Sequence, residues 1–109
     1  MQIYLFEAES SGLYKIGVSK NAKKRLKQVQ TGCPYKIKIL KVYDSKYAFK
    51  IESSIHRRLK NRNLSEYEEY DIRGEWFVLN EEFIEGFISD CDSAHKGFEA
   101  LESLNNPFF

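Results

Sequence analysis

The chain reads as an α+β domain, a small antiparallel-rich sheet flanked by helices. Three observations lead there. Residues 2–8 and 13–18 are dense in aromatic and β-branched side chains, and only Glu9-Ser10-Ser11-Gly12 separates them; that is the pattern of an antiparallel hairpin. Residues 36–43 set Lys36, Lys38 and Lys41 among Ile37, Ile39, Leu40 and Val42, as a third strand with a basic face would. The remaining long stretches place their apolar residues at helical spacing.

Each element follows in order. The hairpin brings Tyr4 and Tyr14 onto one sheet, where the two phenols are expected close together. Ser19-Lys20-Asn21 then offers a helix cap for residues 22–30, with Leu26 and Val29 as the buried positions. Thr31-Gly32-Cys33-Pro34 ends that helix. After the third strand, Asp44-Ser45 caps a second helix over 46–61, in which Ala48, Ile51, Ile55 and Leu59 form the apolar stripe and Glu52 and His56 stand one turn apart beside it. Residues 62–73, with four acids among Tyr67 and Tyr70, lack a period and read as a surface loop. Residues 74–79 are expected as a short strand, and Asn80 or Glu81 as the start of a closing helix that packs through Phe83, Phe87 and Ile88, followed by a weaker amphipathic stretch to Leu104.

With 109 residues, of which 42% are hydrophobic, the chain has material for one core and one domain. No apolar run reaches membrane-spanning length, and the first residues lack the basic flank and long apolar stretch of a signal peptide. A cytoplasmic protein with no membrane partner is therefore expected, or one inside the host cell if phage-encoded. On the same ground Cys33 and Cys91 are expected as free thiols. Cys91 and His95, four apart with Asp92 between, are too few for a closed metal site.

Charge is the strongest compositional signal, although the net value is only +1. Up to Arg62 the chain has 15 Lys and Arg against 4 Asp and Glu; beyond it the counts are 2 against 12. A basic half supplies phosphate contacts, and an acidic half repels and so orients the same polyanion. Mutual attraction of the halves is the plainer alternative, but the cluster Lys15, Lys20, Lys23, Lys24 and Lys27 exceeds what that attraction requires.

Singly, the chemically capable residues have ordinary explanations. Tyr4 and Tyr14 are strand aromatics, Arg25 lies on a charged helix face, and Glu52 with His56 is a helical i,i+4 pair. Together they match the needs of phosphodiester hydrolysis: a carboxylate for a metal, a cation for the phosphate, and a proton acceptor for water. A phenol ionises near pH 10, so a base role requires a guanidinium or metal ion nearby.

The ordered set Gln2-Ile3-Tyr4, Tyr14-Lys15-Ile16-Gly17, Arg25-Leu26, Gln30-Thr31-Gly32-Cys33-Pro34, Glu52 with His56, and Gly74-Glu75-Trp76-Phe77 resembles the GIY-YIG nuclease superfamily over residues 2–79. It is most similar to the compact branch found in phage and mobile-element proteins. The resemblance implies a nuclease core over 1–79 with a C-terminal helical extension over 80–109, and a divalent metal, Mg²⁺ or Mn²⁺. It implies Tyr4 as candidate general base, Tyr14 as a residue positioning water or phosphate, Arg25 as phosphate stabiliser, Glu52 as metal ligand, and His56 as proton donor or phosphate contact. Lys15, Lys20, Lys24 and Lys27 would track the nucleic-acid backbone. Gln2 departs from the motif's glycine, and Lys15 makes its second half Tyr-Lys-Ile-Gly. Glu75 stands open between a second metal ligand and a residue closing the fold, whereas Trp76 and Phe77 read as structural. DNA is the expected partner, RNA less so, and a homodimer or targeting partner would supply any sequence preference. The alternative is a binding or regulatory module that kept the scaffold and lost activity.

Overall fold

A computed structural model describes residues 1–61 and 76–104. Its elements are β1 (Gln2–Ala8), β2 (Leu13–Ser19), α1 (Ala22–Thr31), β3 (Ile37–Asp44), α2 (Ala48–Asn61), β4 (Trp76–Val78) and α3 (Glu81–Ser103). The expected loop over 62–73, with Gly74 and Glu75, and the terminal residues 105–109 lie outside the described residues.

The four strands form one antiparallel sheet in the order β3-β1-β2-β4. β1 is interior and covered on both faces, which explains its unbroken apolar run. Ile3 and Leu5 face one layer, and Tyr4, Phe6 and Ala8 face the other. The hairpin turn holds Ser10 and Gly12 at positive φ, 66° and 74°. Glycine suits the latter because it has no side chain to clash in that region. The Ser11 hydroxyl closes the turn by donating to the Ala8 carbonyl at 2.6 Å and accepting from the Leu13 N–H at 3.0 Å.

α1 covers the Tyr4–Phe6–Ala8 face together with Ile37 and Trp76. Ala22 is its fully buried residue; Leu26 and Val29, expected to be buried, are only partly so. α2 and α3 cover the opposite face, where Ile51, Ile55, Leu59, Phe87 and Cys91 pack on Ile3, Leu5, Ile16 and Phe77. Burying each large side chain there contributes about 1.5–3 kcal/mol. The α2 stripe expected from spacing is the stripe observed, but the helix starts at Ala48. Ser45 turns the chain ahead of it by accepting the Tyr47 N–H at 2.9 Å.

β3 carries a bulge. The β1–β3 register shifts between Leu5 and Phe6, leaving Leu40 as an extra residue between Ile39 and Lys41. Such a bulge reverses the alternation along the strand. Lys38, opposite Glu7, and Lys41, opposite Leu5, therefore share a face despite their odd spacing, and Leu40 and Tyr43 pack with α2 and α3 while Ile37 and Ile39 pack with α1. The closing helix and the weaker stretch after it are one continuous helix, capped by the Asn80 side chain accepting the Phe83 N–H at 2.8 Å.

Candidate active site

Arg25 is placed by the way α1 begins. The Asn21 side chain accepts the Lys24 N–H at 3.1 Å, and Gln2 Oε1 accepts the Ala22 N–H at 2.8 Å. Two otherwise orphaned donors of the first turn are thereby satisfied. The second bond ties the start of α1 to the start of β1, two residues from Tyr4, and gives the motif-departing Gln2 a structural purpose. At the other end, Gln30 Nε2 donates to the Tyr35 carbonyl at 2.8 Å and its Oε1 accepts the Ile37 N–H at 2.7 Å. That side chain clamps the return into β3.

Tyr4 is 2% exposed and stacks on Phe6 with ring centroids 3.9 Å apart. Its strand partner is Gly17, and the phenol lies directly across that residue. A β-carbon on Gly17 would sit 2.5 Å from the Tyr4 Cζ and closer still to the hydroxyl. The guanidinium of Arg25, which donates to Gln28 Oε1 at 3.2 Å, and the carboxylate of Glu52 both act on this hydroxyl. Burial pushes the phenol above its ordinary pKa. The nearby Arg25 guanidinium pulls it back, Glu52 raises it again, and the net direction is upward.

Glu52 and His56 reach this point from the other layer. Among the described residues β4 pairs with β2 from Leu13 to Lys15. His56 Nε2 lies 2.8 Å from the Ile16 carbonyl and 3.8 Å from Glu52 Oε1, and its ring meets Phe77 edge-on at 5.2 Å. A carbonyl only accepts, so Nε2 carries the hydrogen and donates to Ile16. His56 thus fastens α2 to β2 beside Gly17 and orients Glu52. In this structure its Nε2 hydrogen goes to the backbone.

The expectation that both phenols lie close together is corrected by strand parity. Tyr14 is three positions from Gly17, roughly 10 Å along the strand, and on the opposite face, packed with the α2–α3 core. Burial and the charges of Glu7 and Glu81 push its pKa up. Lys38 opposes that shift. Lys15 shares the Tyr4 face instead: it is the strand partner of Phe6 and Trp76, with Nζ 5.8 Å from the centroid of a Trp76 ring. It is the diagonal cross-strand neighbour of Tyr4. Counting by twos back from Gly17 would have identified it.

Lys20, Lys24 and Lys27 are exposed around the start and outer face of α1. The first turn of α1 contains no acid, although a helix N-terminus favours negative charge. Lys23 and Lys24 there make that end an anion-attracting surface at some cost to the helix. Among the described residues no group of three or more His, Cys, Asp or Glu converges as a metal cage. Cys91 is buried with its thiol pushed up to about 12 by burial, and His95 Nδ1 is hydrogen bonded to Ser45 Oγ at 2.7 Å.

Sequence comparison agrees with this arrangement at the level of family. The T5orf172 domain matches residues 1–92, a span holding both hairpin strands, Arg25, Glu52 and the first half of α3. The chain belongs to the T5orf172 domain family. That family is nuclease-related, which suggests DNA as a partner. No curated protein and no solved structure matches the chain. Among the described residues, no helix of this T5orf172 domain is long and apolar enough to cross a membrane.

Proposed function

We propose that the chain is a GIY-YIG-type endonuclease that hydrolyses phosphodiester bonds in DNA with a divalent cation, Mg²⁺ or Mn²⁺. The observation that carries this reading is that Tyr4, Arg25 and Glu52 lie close enough beside Gly17 for both charges to act on the buried phenol. They come from the sheet and from helices on its two opposite faces. Structural economy alone does not call for a buried phenol, a guanidinium and a carboxylate together, whereas phosphodiester hydrolysis can use them as proton acceptor, phosphate-stabilising cation and metal ligand.

Arg25 holds a non-bridging phosphate oxygen and favours the charge that accumulates as water attacks. Tyr4 accepts a proton from that water, and the same guanidinium lowers the cost of its ionisation. Lys15, on the Tyr4 face, takes the positioning task expected of Tyr14. Lys20, Lys24 and Lys27 hold the backbone on either side without reading bases. Glu52 is the residue that would hold the cation. A single carboxylate fits a hard ion that keeps most of its waters and takes further oxygens from phosphate. Such an ion supplies charge neutralisation at the phosphoryl group. His56 acts through Glu52 by fixing its helix against β2.

The test is substitution at Glu52 and Arg25. Glu52→Gln is expected to abolish cleavage while retaining DNA affinity, and Arg25→Ala to weaken both. Wild-type cleavage by Glu52→Gln would contradict the assignment.

A further inference from the structure

Gln2 and Tyr4 share a face of β1, since strand residues two apart point the same way, and α1 covers that face. On α1, Ala22 and Arg25 are i,i+3 neighbours and share a helix face in turn. Gln2 Oε1 accepts the Ala22 N–H at 2.8 Å, from 20 residues away in the chain, and the Arg25 guanidinium acts on the Tyr4 phenol. The two pairs are therefore successive rungs between one strand and one helix. They are about 7 Å apart along β1 and about 4.5 Å apart along α1.

The other restraints on α1 leave its register on β1 open. Ala22 is its fully buried residue, while Leu26 and Val29 are partly buried. Apolar packing of that kind is non-directional, so it holds the helix on the sheet without fixing its position along a strand. Ser19 Oγ accepts the Asn21 N–H and donates to the Asn21 carbonyl, both at 3.1 Å, which fastens the helix start to β2. The Arg25–Gln28 contact at 3.2 Å is internal to α1. Capping is already begun by Asn21, which accepts the Lys24 N–H. What the Gln2 bond adds is a directional link from α1 to the strand that carries Tyr4.

We propose that Gln2 is a positioning residue for the hydrolytic centre, setting the register of α1 on β1 through the Ala22 N–H and so the approach of the Arg25 guanidinium to the Tyr4 phenol. This inference rests on the nuclease reading above. Burial and Glu52 push the phenol up and Arg25 opposes them, so a guanidinium that withdraws makes the phenolate harder to form.

The experiment is the kinetics of supercoiled-plasmid nicking in Mg²⁺ by the full-length wild-type, Gln2→Met and Gln2→Glu proteins, at stepped pH from 7 to 9. Methionine has a similar reach and only a weakly accepting sulfur. Glutamate keeps an oxygen for the Ala22 N–H, and its charge suits a helix N-terminus. Gln2→Met is expected to lower kcat by up to about 100-fold, the scale for a misplacement of about 1 Å, with KM little changed because the α1 lysines are untouched. Its rise of rate with pH should be displaced to higher pH, and Gln2→Glu should restore both kcat and profile. The profile compares rates within one protein, so partial unfolding of a variant does not mimic the displacement. Wild-type kcat in Gln2→Met, a fall in kcat that leaves the profile in place, or a loss that Gln2→Glu shares would overturn this inference and leave the nuclease reading standing. Absence of nicking by the wild type would overturn both.

Discussion

At Gly17 the absence of a methyl group lets a phenol cross the sheet, and the site depends on that crossing. Gly17→Ala would force the Tyr4 ring aside in a packed layer, with an expected loss of about 1–3 kcal/mol, measurable by urea unfolding. It should also depress cleavage as far as Tyr4→Phe does. The upward-shifted Tyr4 phenol is protonated near neutrality, so a rate that depends on its phenolate rises with pH. We expect cleavage to increase from pH 7 to 9 in the wild-type protein and to lose that dependence in Tyr4→Phe. His56 is a second residue whose position outweighs its chemistry. His56→Ala leaves the Ile16 carbonyl without its donor, at a cost of about 1–3 kcal/mol, and releases the α2 edge that carries Glu52. At this scale Tyr4, Arg25 and Glu52 were legible in the spacing of the motif. The choice between Tyr14 and Lys15 was not, because strand parity moves a side chain to the other face for each residue of offset.

Among the elements, the hairpin and the α2 stripe follow directly from the sequence, since alternation and helical spacing there agree with local turn and cap residues. β3 departs from expectation at Leu40. Ile39 and Leu40 are both apolar, and nothing in their order says which one the pairing leaves over. α3 reads as two stretches because Gly86, Ser89, Ser93 and Gly97 lower its helix propensity. Bonds from the sheet and its following turn hold it as one: Tyr43 donates to Asp92 at 2.9 Å, Ser45 bonds His95, and Tyr47 bonds Glu102. The Tyr43 bond gives an alkaline signature. Burial first, and then the hydrogen bond and charge of Asp92, hold the Tyr43 phenol up at about 12. A raised folded-state pKa contributes stability below the unfolded value of 10, and that stability is lost as pH rises toward 12. Unfolding free energy is therefore expected to fall across that window, and Tyr43→Phe to flatten the fall, as read by denaturation at stepped pH.

Across the whole molecule, the charge division noted in the sequence becomes a spatial one. The lysine-rich α1 lies on one face of the sheet and the acidic α3 on the other. Part of the acid is used internally, in the Arg58–Asp90 pair at 3.5 Å and the Lys46–Glu102 pair at 3.3 Å. Lys20, Lys24 and Lys27 make no such pair among the described residues, which suits them to phosphate. Replacing all three with alanine should lower the slope of log affinity against log salt by roughly 2 to 3, at about 0.9 for each duplex phosphate left unneutralised. An unchanged slope would place the DNA elsewhere. The segregation was readable from residue order, but the convergence of Arg25 and Glu52 from opposite layers was not, because it depends on how α1 and α2 pack on the two faces of the sheet.

If Tyr4, Arg25 and Glu52 form a metal-dependent hydrolytic centre, the protein should nick supercoiled plasmid, and that reaction tests the centre most directly. It is run in Mg²⁺, Mn²⁺ or EDTA with the wild-type protein, beside Tyr4→Phe and Glu52→Gln proteins purified identically. Nicking by the wild type in either metal, absent in EDTA and abolished in both variants, is the expected result. Equal nicking by the wild type and both variants, or nicking that persists in EDTA, would contradict it.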